Sequence, residues 1–573
     1  MIPMKMLPMK WILMVVFVAC SFVMSCGDSG SADRDSTSGL PDEPLTEENP
    51  PEPAEPSPGN PVVRDDEEGP HPFGLFNDWF SPELVAANGA GLVHIPGISW
   101  SDLMPDGVNF DRENLERLDR YVRSYADYGV QVFMRLTTGG YTPGGEFSGI
   151  PNVRDWPVDT TDYFLPPHDG YKNGEWLGEI DGSPRSYPPR TLTLDKPGTT
   201  SPWYDFVYAL AARYDGTTPD PKRPGAYLPG VDYWAIAGEN ELKYYWYGTA
   251  TELYGGIGGD PRVGVLPTLY RAVHAANPHA KVVGGSLTDG TALVCILYGE
   301  MLRKGDYDEE MLAYGNDWMQ QMVPLQFTNL QNLKRRMNSQ KYVRIRDFME
   351  TFLAANKYYD VLGYHMYSAY DYLDDLVRFY RAKMAQHRFE KPLWGTETGV
   401  FNFPLGSEET QAQRVIKLLT VSLSEGVQHV TYSGMIALYS YQGFLYAGLY
   451  DELFVPYRML NPNAPPERYN DLFGRVAQES FSFFTHTMNR RGYRFDRTIE
   501  RGSTMLYIFE SATDGSRLCV AWSEGDGETF DPRPELGAPA GAQLDLFDHR
   551  GRPQRASTGI RFTPAPVFLE WDE

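Results

Sequence analysis

The chain has 573 residues, enough for one large domain with additions or for two to three ordinary ones. A formal net charge of −25, with no Lys/Arg cluster to offset it, argues against nucleic acid or an anionic membrane surface as partner. Aromatic residues make up 14% of the sequence, with 37 Tyr, which suits a protein that lays ring faces against its ligand.

The first 26 residues read as a targeting segment. Lys5 and Lys10 form a positive start, and residues 11–23 an apolar stretch. Val23-Met24-Ser25-Cys26 then resembles the lipobox of bacterial lipoproteins. That likeness implies lipid on Cys26 and an extracytoplasmic, membrane-anchored place in a bacterial envelope. Residues 27–69 are Ser, Asp, Glu, Pro and Gly with almost no large apolar side chain, a composition that stays unfolded and serves as a tether. Cys20 lies in the targeting segment, while Cys295 and Cys519 sit among apolar neighbours and read as buried thiols.

After residue 70 short apolar runs alternate with helical patterns. Strands are expected at 73–76 (FGLF), 90–98, 130–136 (VQVFMRL), 233–237 (YWAIA), 280–287, 360–367, 391–397 and 429–435. Between them lie helices: one over 111–128 capped by Asp111, one opened by Ser201-Pro202, one capped by Ser407 and ended by Gly426, and a last one near 470–489. Eight near-continuously apolar strands, each followed by a helix, predict a parallel sheet closed into a (β/α)8 barrel over residues 70–491. From 492 to 573 the period shifts to two, which predicts a small antiparallel β-sandwich domain.

In such barrels the active site lies where the strands end. The fourth strand runs into Gly238-Glu239-Asn240-Glu241, the sixth ends His365-Met366-Tyr367, and the seventh ends Thr396-Glu397. Carboxylates on opposite walls of a pocket are what glycosidic cleavage requires: one protonates the leaving oxygen, the other attacks the anomeric carbon or activates water. Asn-Glu ending the fourth strand, with Glu in Trp394-Gly-Thr-Glu397-Thr-Gly, resembles clan A of the glycoside hydrolases, and the appended β domain is similar to that of family 39. The resemblance implies a retaining glycosidase without cofactor, with Glu241 as acid/base, Glu397 as nucleophile, Asn240 on the sugar 2-hydroxyl and Tyr367 touching the nucleophile. Many clan members place an Arg near the nucleophile from the second strand, where this chain has His94. Arg135, ending the third strand, either takes that place or is a structural ion-pair partner.

Strand alternation puts Glu239 and Glu241 on one face unless a bulge intervenes, so periodicity does not choose between them. The Asn before Glu241 favours the second. His365 is either a substrate contact or a satisfied structural histidine. Trp246 and Trp394 are candidate sugar-binding rings, as are the aromatics of three loops, at 139–200, 242–248 and 438–450. No metal-ligand spacing is present, so the partner expected is carbohydrate, processed from a chain end or within the chain. The alternative is a catalytically silent barrel that only binds glycan at the cell surface.

Overall fold

The computed structural model describes residues 71–76, 82–95, 98–104, 109–138, 171–172, 175–176, 202–236, 238–242, 246, 248–319, 326–367, 370–400, 407–433, 449, 474–525, 527–539, 541–555 and 559–572. The targeting segment, Cys26, the tether and most aromatics of the three loops lie outside them. Among the described residues no helix is long and apolar enough to cross a membrane.

Eight parallel strands form the barrel: β1 (Phe73–Phe76), β2 (Leu92–His94), β3 (Gln131–Thr137), β4 (Tyr233–Ile236), β5 (Lys281–Leu287), β6 (Val361–Met366), β7 (Leu393–Thr398) and β8 (His429–Ser433). Each pairs with the next, and β8 returns to β1, so no edge is left open. The helices that follow them in turn are α1 (Pro82–Ala87), α2 (Arg112–Ala126), α3 (Pro202–Arg213), α4 (Val265–Ala276), α5 (Asp289–Lys304), α6 (Leu373–Gln386), α7 (Glu408–Ser424) and α8 (Val476–Arg490). An additional helix, Gln340–Ala354, lies between β5 and β6.

Local chemistry sets the boundaries. Asp111 caps α2 by accepting from the Asn114 amide at 2.8 Å, and Ser407 caps α7 by accepting from the Thr410 amide at 3.0 Å. Gly426 terminates α7 with φ +68°, a conformation that suits a residue without Cβ. Inside the barrel, Leu92, Phe133, Ala235, Val283, Val361 and Trp394 form a closed apolar layer. Above it the lining turns polar, with His94, Arg135, His365, Thr396 and Glu397 all buried.

The C-terminal strands are β9 (Tyr493–Arg501), β10 (Thr504–Ser511), β11 (Arg517–Ser523), β12 (Glu528–Phe530), β13 (Asp545–Asp548), β14 (Pro553–Gln554), β15 (Ile560–Phe562) and β16 (Val567–Trp571). Six make one antiparallel sheet in the order β9-β10-β11-β16-β13-β14, and β12 pairs with β15. One sheet face joins the barrel's own core through Tyr507, Phe509, Val520, Trp522 and Phe568, the last with its ring centroid 4.9 Å from Phe483 and 6.0 Å from Phe484 on α8. The opposite face builds a separate core from Leu506, Ile508, Cys519, Leu536, Phe562 and Leu569. At the seam the buried Lys417 ammonium of α7 donates to Glu524 (2.9 Å) and the Tyr370 hydroxyl (3.0 Å) and lies over the Trp522 ring. Cys519 is buried and Cys295 half-buried, and neither forms a disulfide.

Candidate active site

Glu397 arrives on its strand. The β7 ladder shifts register against β6 between Gly395 and Glu397, an irregularity that re-aims a strand side chain. Arg135, from β3, forms a buried ion pair with one oxygen of Glu397. The Tyr367 hydroxyl donates to the other at 2.9 Å, and His365 Nδ1 lies 3.5 Å from that same oxygen. Burial alone would raise the Glu397 pKa, but His365, Arg135 and the Tyr367 hydrogen bond override it, and the net shift is downward. The guanidinium also stands over the Phe76 ring, 5.3 Å from its centroid. Arg135 is thus in contact with the Glu397 carboxylate, and His94 sits apart, its Nδ1 against the Thr396 carbonyl at 2.9 Å.

Glu239 arrives by a different route. The fourth strand stops at Ile236, and Glu239 takes a left-handed backbone conformation, φ +58°, uncommon for a residue with a side chain. Its amide donates to the Ser286 carbonyl at 2.8 Å, and Ser286 is itself left-handed, φ +55°. Such paired strain at two strand ends persists only where surrounding structure enforces it. Gly238 is part of the enforcement: a Cβ there would stand 2.8–2.9 Å from the His365 ring and the Ser286 Cβ. The outcome is a Glu239 side chain 16% exposed, with Oε1 2.9 Å from His365 Nδ1. One ligand-type atom each of Glu239, His365 and Glu397 falls within 4.8 Å of the others. Because both Glu397 oxygens already accept from protein donors, one of them a guanidinium, the set is arranged as an ion-pair network rather than a coordination shell.

The left-handed turn breaks strand alternation, and Glu241 therefore does not share a face with Glu239. It is 2% exposed, and its Oε1 accepts from the Thr288 amide (2.8 Å), the Thr288 hydroxyl (2.8 Å) and the Thr291 hydroxyl (2.9 Å), all in the first turn of α5. Burial, the largest influence, raises its pKa. Its charge is felt by Tyr254 and Tyr380, on helices outside the barrel. Glu241, the expected acid, is thus turned to the start of α5, and the carboxylate that lies beside His365 and Glu397 is Glu239. Asn240 is buried too, its carbonyl held by Arg344, and the residue before Glu239 is Gly238.

His365 is fully buried and bridges the two carboxylates, so it is a neighbour of both rather than a ring presented to a ligand. Burial lowers its pKa, yet Glu397 and Glu239 outweigh that and the net shift is upward. Two expected sugar-binding rings are also corrected. Trp394 is 1% exposed in the apolar layer below the site, packed on Tyr233 and His429 at 4.8 and 4.7 Å. Trp246 is 0% exposed and anchors the loop after β4, its indole nitrogen donating to the Thr249 carbonyl at 3.1 Å. Sequence reading missed Asp289 and Arg344. Asp289 accepts from the Tyr367 amide at 3.0 Å. Arg344, on helix Gln340–Ala354, donates to the carbonyls of Asn240, Glu241, Trp246 and Gly248. Their targets are main-chain groups, which leave no pattern in the one-letter code.

The barrel with its appended sheet is a fold also seen in a solved glycoside hydrolase. Its likeness to a family 39 glycoside hydrolase from Bacteroides cellulosilyticus WH2 covers 88% of this chain and 82% of that one, at TM-score 0.51 and 13% identity. A family 30 endoxylanase from Clostridium papyrosolvens C71 matches at TM-score 0.43 and 13% identity, over 88% of this chain and 96% of that one. A β-xylosidase from Caulobacter crescentus CB15 matches at TM-score 0.43 and 12% identity, over 87% and 95%. At these identities the likeness is one of fold. No protein-family profile matches the sequence, and no curated protein matches it.

Proposed function

We propose that this protein is a retaining β-glycosidase that hydrolyses oligo- or polysaccharide by double displacement, with Glu397 as nucleophile and Glu239 as acid/base. The observation that carries the reading is their spacing. An oxygen of Glu239 and one of Glu397 lie within 4.8 Å, which is in keeping with the close carboxyl pair, ~5–5.5 Å apart, of retaining enzymes. Glu397, held ionised by Arg135 and Tyr367, attacks the anomeric carbon while Glu239 gives its proton to the departing oxygen. Glu239 then takes a proton from water, which displaces Glu397 and restores the carboxylate. The left-handed turn gives Glu239 partial access, whereas Glu241 is only 2% exposed.

The test is the anomer released first, followed by NMR, on any aryl β-glycoside or polysaccharide the soluble domain accepts. Retained configuration supports the scheme and an inverted product refutes it. Glu397→Ala should remove essentially all turnover. Glu239→Ala should spare dinitrophenyl glycosides in the first step and recover rate with azide, while losing about 10²- to 10⁴-fold on poor leaving groups. We further propose that lipid on Cys26 keeps this activity outside the cytoplasm; Cys26→Ser should then stop incorporation of labelled fatty acid, and a wild type that incorporates none would sink the idea.

A further inference from the structure

We propose that the first turn of α5 is a shared mount for both reacting carboxylates, with Glu241 and Asp289 as positioning residues that act on different halves of the site. The inference rests on the glycosidase reading and extends it to two buried side chains behind the reacting pair.

One arm of the mount runs to the acid. Glu241 inserts a buried carboxylate into the α5 turn, where three donors converge on a single oxygen. A carboxylate at a helix start accepts orphan amide hydrogens and meets the positive end of the helix dipole, so the attachment is directional. Arg344 fixes the same segment from the other side, donating to the Glu241 carbonyl at 3.1 Å and to three more carbonyls along the loop. Burial pushes Arg344 down to about 10, which leaves it charged at neutral pH. Glu239 lies two residues before Glu241, between this clamp and the end of β4. Its strained φ of +58° is spanned by fixed points: the Ser286 carbonyl on its own amide and the Glu241 anchor behind it.

The other arm runs to the nucleophile. Asp289, next to Thr288, caps the backbone of Tyr367 by accepting from its amide at 3.0 Å. The Tyr367 hydroxyl in turn donates to Glu397 at 2.9 Å. Thr288 and Asp289 are neighbours in sequence, so the loops after β4 and β6 are registered against a single turn of backbone. Reaction geometry is sensitive at this level: displacement of about 1 Å can cost about 100-fold in rate.

The two arms make separable predictions. On aryl β-glycosides carrying dinitrophenyl, nitrophenyl and phenyl leaving groups, Glu241→Ala should depress kcat/KM increasingly as the leaving group worsens, because proton delivery by Glu239 is what it disturbs. The loss should approach 100-fold for phenyl and be absent or small for dinitrophenyl. Azide should not restore it, since Glu239 is still present, and Glu241→Gln, which keeps an acceptor oxygen, should recover most of the rate. Asp289→Ala, which removes the acceptor, should lower all three substrates alike. Rates are taken per folded enzyme, with melting measured alongside, so poor folding of one variant does not decide the matter. A Glu241→Ala enzyme with the wild-type leaving-group dependence would overturn the mount. Azide rescue of Glu241→Ala, with Glu239→Ala unimpaired, would instead return the acid to Glu241. Full activity in Glu397→Ala would refute the underlying glycosidase reading independently of both.

Discussion

The ends of β4 and β7 deliver their carboxylates in opposite ways. Glu397 remains on the ladder, paired in register with His365, and only a local shift re-aims it. Glu239 stands beyond its strand on a left-handed residue, and its place is dictated by what surrounds it rather than by pleat. A side chain on a strand inherits precision from the sheet; one beyond the strand must be held by the residues around it. In this chain those are Gly238, Ser286, Glu241 and Arg344.

That contrast can be tested at each end. The largest effect is expected from Arg135→Met, which strips the buried Glu397 carboxylate of its cation. Losing one partner of a buried pair costs about 3–5 kcal/mol. The Arg135 charge also lowers the Glu397 pKa, so its removal should move the acid limb of the kcat/KM profile to higher pH. An unmoved limb would show that Tyr367 and His365 suffice. Gly238→Ala comes next. Its Cβ would press on the His365 ring and Ser286, so the turn carrying Glu239 must shift. Turnover of poor leaving groups should fall about 10- to 100-fold with little change for activated ones. A uniform loss across leaving groups would place the damage at Glu397 instead.

The smallest effect concerns Glu241 and stability. Its folded pKa is raised by burial above the ordinary 4.5. Below 4.5 the carboxyl is protonated in both folded and unfolded chains and contributes nothing to the pH dependence. As pH rises past 4.5 the unfolded carboxyl ionises first, so stability declines until the folded pKa is passed. The melting temperature of wild type relative to Glu241→Gln should therefore fall as pH climbs from about 4 to 7. A difference that is flat with pH, or that grows, would mean the carboxylate is better solvated at the α5 turn than its burial implies.

Much of the barrel was legible because its signals are local. An apolar run bounded by caps identifies β3 or β7 without reference to any other part of the chain, and Asp111, Ser407 and Gly426 mark helix ends by their own chemistry. Glu397, Arg135 and Tyr367 followed from reading strands to their ends. The place of Glu239 did not, because alternation is a rule for strands and the chain had already left β4 before it. The Asn-Glu order instead singled out Glu241, whose carboxylate is turned to the start of α5. Trp246 and Trp394 misled for a related reason: an indole that packs a barrel and one that stacks on a sugar are the same letter, and only burial separates them. The strand expected at 90–98 shortened to Leu92–His94, with a separate two-residue strand at Ile98–Ser99 pairing on β3.

The sheet formed by β9–β11, β16, β13 and β14 spends one face inside the barrel's core and keeps Lys417 as a charged rivet at the seam. A module joined in this way is not portable. Grafted onto another barrel, the sheet would bring an apolar face cut to the rings of α8; removed, it would leave Phe484 and Lys417 facing water. Recombination among proteins of this build should accordingly exchange barrel and sheet as one inherited block.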